Sequence, residues 1–212
     1  MSVTHTPLKQ PTTTRKLILV RHGESEENVA LEERKNRMAN QGKTDVNPFG
    51  PGRFGNSPLT KLGVRQACLT GSHLKANPTK VLWTSTLERA RHTANCIADF
   101  QPGIDLTGMP DLNEKNERQG VREKETMLEF VARVAKFRDL IDWCEIDVLI
   151  VGHSRFLSVL TSLLLGEPVL NPLAYRNPNC AITEFEREDG KWRLLYQGSV
   201  EHLPETLRTG LD

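Results

Sequence analysis

The sequence predicts an α/β fold: a three-layer sandwich with a mostly parallel central sheet, an antiparallel edge and helices on both faces. Three observations predict it. Short apolar runs at Leu17–Val20, Val81–Trp83 and Val148–Val151 lack the alternation of a half-exposed strand, as strands covered on both faces do. Helical patterns lie between and after those runs. A hairpin signal then closes the chain, which an otherwise parallel sheet accommodates at one edge.

The helical patterns have recognisable ends. "TKLGVRQACLTGSHL" begins at Thr60, and Leu87, Ala90, Ala94 and Ile97 recur at spacings of three and four, an amphipathic face. Thr126 and Glu129 have capping-box spacing before a face of Phe130, Val134, Phe137 and Ile141. The fourth pattern, Ser154 to Leu165, stops at Gly166 with Pro168 two residues on, a glycine-then-proline terminator. "AITEFE" and "KWRLLYQ" flank "REDG", where Asp-Gly marks a tight hairpin.

The 212 residues suit one sizeable domain. We divide the chain into a flexible arm (1–15), a single domain (16–203) and a C-terminal tail (204–212). Ala30 to Asn56 forms a long polar insert, rich in Gly, Pro and Asn in its second half, and connections of that length are usually functional or disordered. It is a candidate lid. A net charge of +1 with 26% charged residues argues against a nucleic-acid or membrane-surface role, while leaving room for a local basic site. Cys68, Cys96, Cys144 and Cys180 show no paired spacing and read as reduced thiols. The start lacks a secretory apolar region and no run reaches membrane-span length, so the expectation is cytoplasmic.

Two of the apolar runs end alike. Leu17–Val20 leads into Arg21, His22 and Gly23, and Val148–Val151 into Gly152 and His153. Ligand sites in open α/β sheets form beyond the carboxyl ends of the strands. Both histidines should therefore meet there, joined by Arg89 from "TSTLERARHTA" after the third run. Helix starts at that edge add N–H groups and a positive dipole end. Two arginines and two imidazoles make a pocket for a compact dianion such as a phosphoryl group, since the guanidinium fork matches its oxygens. Nearby guanidinium charge opposes protonation of an imidazole. One histidine stays neutral and attacks phosphorus, while the other donates to the equatorial oxygens.

These residues carry a family resemblance. "LVRHGESEEN", "SPLTKLGVRQA", "TSTLERARHTA", "DLNEKNERQG", "VLIVGHS" and "NCAITEFE" resemble, in order, motifs of the histidine phosphatase superfamily, whose fold is shared with cofactor-dependent phosphoglycerate mutases. The resemblance implies a phosphomonoesterase for a small phosphorylated substrate, with His22 as the nucleophile. Arg21, Arg89 and His153 would surround the phosphoryl group, and Asn28 would contact it, although Asn28 also reads as a cap or turn residue. Glu114 would be the proton-donating carboxylate, and Ser154 at the helix start a substrate contact. No metal or other cofactor is implied, because the arginines neutralise charge. Mutase-type phosphoryl transfer is the alternative. The chain departs from the family at Thr86, where proline is common, at Arg155, where a small residue is common, and after Glu114, where the usual Trp-Glu-Gly is missing. Arg155 reads as a further substrate contact or as a structural ion pair.

Two other classes compete. "GHSRF" begins like the nucleophile elbow G-x-S-x-G of serine hydrolases, which would make Ser154 the nucleophile with Asp189 and His202 as partners. Phe156 stands where the elbow needs glycine. A non-catalytic phosphate binder is the third reading. His73 and His92 read as structural or surface residues, and the cations Arg34, Lys35, Arg37, Lys43 and Arg53 mostly as a solvated face.

Overall fold

The computed structural model describes residues 14–41, 56–115 and 125–211. The three apolar runs are strands β1 (Arg15–Arg21), β2 (Val81–Thr84) and β4 (Val148–Gly152), with β3 (Asp105–Gly108) beside β2. β5 (Ile182–Glu188) and β6 (Lys191–Ser199) form the hairpin. The sheet order is β3-β2-β4-β1-β5-β6, parallel from β3 to β1 and antiparallel from β1 outward through β6. Asp189 and Gly190 at the hairpin tip have φ of 50° and 79°, the left-handed pair a two-residue turn requires.

Side-chain alternation along the strands builds two cores. Leu17, Leu19, Val148, Ile150 and Phe185 pack under α4 (Met127–Trp143) and α5 (Ser154–Leu164). Ile18, Val20, Leu82, Leu149 and Val151 face α2 (Lys61–Leu74) and α3 (Glu88–Ala98), meeting Leu74, Ala90, Ala94 and Ile97. Both faces of β1 and β4 are therefore dry, which is why their runs do not alternate. Two helices begin as their sequences imply: Thr60 Oγ1 accepts the Gly63 N–H, and Thr126 with Glu129 completes a capping box. Gly166 at φ 71° follows α5, the left-handed residue that ends a helix.

β3, the helix after β1 and two short helical turns lacked an expectation, and the segment boundaries differ in detail. α1 (Glu26–Ala39) covers the first part of the supposed insert, so Ala30–Ala39 is helix rather than loop. Residues 42–55, and with them the rest of the candidate lid, lie outside the described residues. Arg15, placed in the arm, pairs with Arg187 in the sheet. Beyond 203, a short helical turn at Glu205–Leu207 leads to Thr209, whose hydroxyl donates to Asn179 Oδ1 (3.2 Å).

Two glycines matter through close approach. The chain after β1 crosses the start of α2 with backbone on backbone. A Cβ on Gly23 would stand 2.5 Å from the Gly63 carbonyl oxygen, and one on Gly63 only 2.0 Å from the Glu24 carbonyl oxygen. We expect Gly63→Ala to lower stability by about 1–3 kcal/mol, the usual cost of forcing atoms into a packed site, and to displace the chain beside His22. Denaturant unfolding at constant m-value measures the first effect, and a fall in turnover the second.

Candidate active site

Strand register sets the site. β1 and β4 pair so that Arg21 lies opposite Gly152, and the residues that follow are His22 and His153. Two further backbone bonds hold the edge: the His22 N–H donates to the Gly152 carbonyl (3.0 Å) and the Ser85 N–H to the Val151 carbonyl (3.1 Å). The imidazole centroids are 5.1 Å apart. Arg89, in the first turn of α3, directs its Nε–H at His22 Nε2 (3.3 Å). His22, Arg89 and His153 are only 3%, 2% and 1% exposed, so burial and mutual charge dominate their electrostatics.

The two rings are held differently. His22 Nδ1 lies 2.7 Å from the Gly23 carbonyl oxygen, which accepts only, so Nδ1 carries the proton and Nε2 keeps its lone pair. Burial pushes His22 well below the ordinary imidazole value, and Arg89, His153 and Arg21 push it further. His153 is lowered likewise, by burial first and then by Arg89, Arg21 and Arg133. Arg21 is pushed down to about 10, mainly by burial, and stays a cation at neutral pH. Its Nη1 donates to the Asn177 carbonyl (2.7 Å), and its Nε is buried with no partner among the described residues.

Glu114 joins the same edge from the segment after β3. Its Oε1 accepts the Lys115 N–H (2.9 Å) and its Oε2 the Arg155 N–H at the start of α5 (3.2 Å). Arg133 on α4 anchors this segment. It donates to the carbonyls of Asp111 (2.6 Å) and Asn113 (2.9 Å) while holding both oxygens of Glu125 at 2.8 Å. A buried guanidinium is well used in such a bidentate pair.

Asn28 fulfils its cap reading: Ser25 and Asn28 exchange side-chain and backbone bonds in a capping box at the start of α1. Its Oδ1 also accepts from Asn179 Nδ2 (3.0 Å), which in turn donates to the His22 carbonyl (3.2 Å). Ser154 opens α5 and, with Arg21, Asn28 and Asn179, lines a cleft of about 610 Å³ bounded by α1 and residues 208–211. The serine-hydrolase reading fails on placement. Asp189 sits in the hairpin turn, and His202 stacks on His73 (5.1 Å) while bonding Thr70 Oγ1 (2.9 Å).

Four residues of the site had no reading from sequence. Glu27 Oε2 stands 3.3 Å from Arg89 Nη1; burial raises its pKa, Arg89 opposes the rise and Glu114 adds to it. Ser85 and Asn113 support His153, and Asn179 ties His22 to Asn28. A Ser-x-x-Asn cap spacing was the available signal for α1, and hence for the position of Glu27. The others become visible only in three dimensions.

Comparison with known proteins now decides the family. The sequence model of the histidine phosphatase superfamily (branch 1) matches residues 17–119 and 115–199. The chain belongs to the histidine phosphatase superfamily. This superfamily member is 30% identical to "Uncharacterized phosphatase PhoE" of Bacillus subtilis, over 87% of this chain and 95% of that protein. It is 27% identical to "Probable phosphoglycerate mutase GpmB" of Yersinia enterocolitica, over 83% and 86% respectively. Among solved structures, the alpha-ribazole phosphatase of Shigella flexneri superposes with a TM-score of 0.70 at 22% identity, covering 87% of this chain and 96% of that one. A mycobacterial glucosyl-3-phosphoglycerate phosphatase gives 0.67 at 19%, covering 88% and 99%. These two share the fold, and the family and the first relative support a phosphatase. Among the described residues no helix is long and apolar enough to cross a membrane, and no group of three or more His, Cys, Asp or Glu could hold a metal ion.

Proposed function

We propose that this protein is a metal-independent phosphomonoesterase that works through a phosphohistidine on His22. One observation carries the reading: an unprotonated imidazole nitrogen, its lone pair met by the Arg89 Nε–H, sits among Arg21, Arg89 and a second histidine at the carboxyl edge of the sheet. A phosphoryl group entering this hollow takes the place of His22 Nε2 on Arg89 and of Glu27 beside it. Guanidinium donors and the helix starts stabilise its spread charge, and they cost no reorganisation in the transition state.

In the first step His22 Nε2 attacks phosphorus and the bond to the substrate oxygen breaks. That oxygen leaves with the proton of the Glu114 carboxyl. In the second, a water attacks the phosphohistidine and gives its proton to Glu114. Inorganic phosphate departs and neutral His22 returns. The cleft beside Arg21 takes the remainder of a small substrate, with Ser154 and Asn28 on its wall.

The similarity to a protein named as a mutase supports a second reading, in which the phosphoryl group returns to product instead of passing to water. One experiment separates them. Pure protein is incubated with a phosphomonoester and a chelator, followed by assay of free phosphate and rapid-quench labelling. Release of phosphate with an acid-labile, base-stable phosphoprotein is expected. Isomerised product without release overturns the phosphatase reading, and absence of both products and label leaves only a phosphate binder.

A further inference from the structure

The hydrogen bonds around His153 have only one consistent set of directions. The Thr86 N–H points at Asn113 Oδ1 (3.0 Å), so that atom must be the acceptor oxygen. The Ser85 hydroxyl, 2.7 Å from the same oxygen, therefore spends its single proton there. The Leu87 N–H donates to Ser85 Oγ (3.2 Å). His153 Nε2, 2.8 Å from Ser85 Oγ, has nothing left to accept and must donate. A neutral His153 then carries its proton on Nε2 and a bare lone pair on Nδ1. That Nδ1 is buried, with no hydrogen-bond partner among the described residues, in a ring whose centroid lies 5.1 Å from that of His22. The two histidines are thus opposite tautomers: His22 is protonated on Nδ1, His153 on Nε2.

We infer that Ser85 and Asn113 are positioning residues that forbid His153 its Nδ1–H neutral form, so that an oxyanion in the hollow is bound only with uptake of a proton at His153 Nδ1. A lone pair facing an anion repels it, whereas an N–H on both ring nitrogens satisfies Ser85 and the anion together. The proton comes from solvent, and no bond other than N–H forms. Charged neighbours of the ring are Arg21 from β1, Arg89 from α3 and Arg133 from α4, with the neutral His22 beside it. All three cations oppose the extra proton, so only the arriving negative charge makes it favourable. The free site holds a neutral, non-competing ring, and the filled site gains a charged donor.

The inference rests on reading the hollow as an oxyanion site, not on turnover, and is tested without turnover. Sulfate is the probe, because it stays a dianion across the working pH range. Long-range 15N NMR of the imidazoles at pH 7.5 should show His153 as the Nε2–H tautomer in the free protein and protonated on both nitrogens with saturating sulfate. In His22→Asn protein, which removes the other imidazole, the sulfate Kd should rise about tenfold per pH unit above neutrality, as one linked proton requires. Ser85→Ala or Asn113→Leu frees the choice of tautomer. The filled site should then hold a neutral Nδ1–H ring, and the pH slope should flatten. A free wild-type His153 with its proton on Nδ1, or a sulfate-bound His153 that stays neutral, overturns the inference even if a variant fails to fold. Normal phosphate release alongside either result would leave the phosphatase reading intact.

Discussion

Replacing His22 with asparagine is expected to lower kcat/KM toward any phosphomonoester by on the order of ten-thousandfold or more, and to abolish the acid-labile phosphoprotein. Loss of a nucleophile has effects of that size, because no other group takes over its bond. Asparagine keeps a polar group near the Gly23 carbonyl but offers phosphorus no lone pair of comparable basicity. The neighbours cannot substitute: His153 is committed to Ser85, and Ser154 has neither Asp189 nor His202 within reach. Residual phosphate release above one part in a hundred, with folding intact by circular dichroism, would mean that His22 does not form the intermediate. The pH profile follows the same logic. The free enzyme needs His22 neutral, and burial with nearby cations lowers its pKa. Protonation of the nucleophile therefore begins only at pH values below the ordinary imidazole value of 6.5. The acid limb of kcat/KM assigned to His22 should therefore lie on the acid side of the ordinary imidazole value.

How much of this was legible depended on whether a residue's role is set by its own neighbours in sequence. β1, β2 and β4 were legible because burial on both faces writes a continuous apolar run, and the strand-end histidines because each follows such a run directly. α4 was legible from Thr126 and Glu129, whose capping box is a local interaction. By contrast, α1 buries none of its residues, so no apolar stripe marks it and its first part reads as loop. β3 has no buried residue and lies at the sheet edge, where the same lack of patterning hides it. Glu27 was invisible for a related reason: its meeting with Arg89 requires α1 to exist. Ser85 and Asn113 are 28 residues apart, and nothing near either of them names the other. Gly23 gives the Gly63 backbone room to approach, a role that nothing beside it in sequence announces.

Two carboxylates approach the phosphoryl hollow, and substituting each should separate their roles. Glu114→Gln is expected to cut kcat by on the order of a hundred- to a thousandfold for an alkyl phosphate, whose leaving oxygen needs a proton. An aryl phosphate with a strongly acidic phenol leaves unassisted, so its phosphorylation step should change little. Glutamine still accepts one backbone N–H from Lys115 or Arg155, so the fold and the pocket wall persist. Glu27 differs in what it faces. It stands against Arg89, the group an incoming phosphoryl oxygen must engage, and it competes for that guanidinium whenever it is ionised. Burial raises its pKa, which makes that competition strongest at higher pH, where Glu27 is fully ionised, and weaker as pH falls through its raised pKa. Glu27→Gln should therefore lower KM and the inhibition constant of inorganic phosphate at neutral and alkaline pH, with little effect in acid, and leave the alkyl-to-aryl rate ratio unchanged. A collapse of that ratio in the Glu27 variant, with a normal ratio in the Glu114 variant, would reverse the assignment. Glu114 is the proposed proton donor because a carboxylate paired with Arg89, as Glu27 is, is ill placed to hand a proton to an oxygen leaving opposite His22.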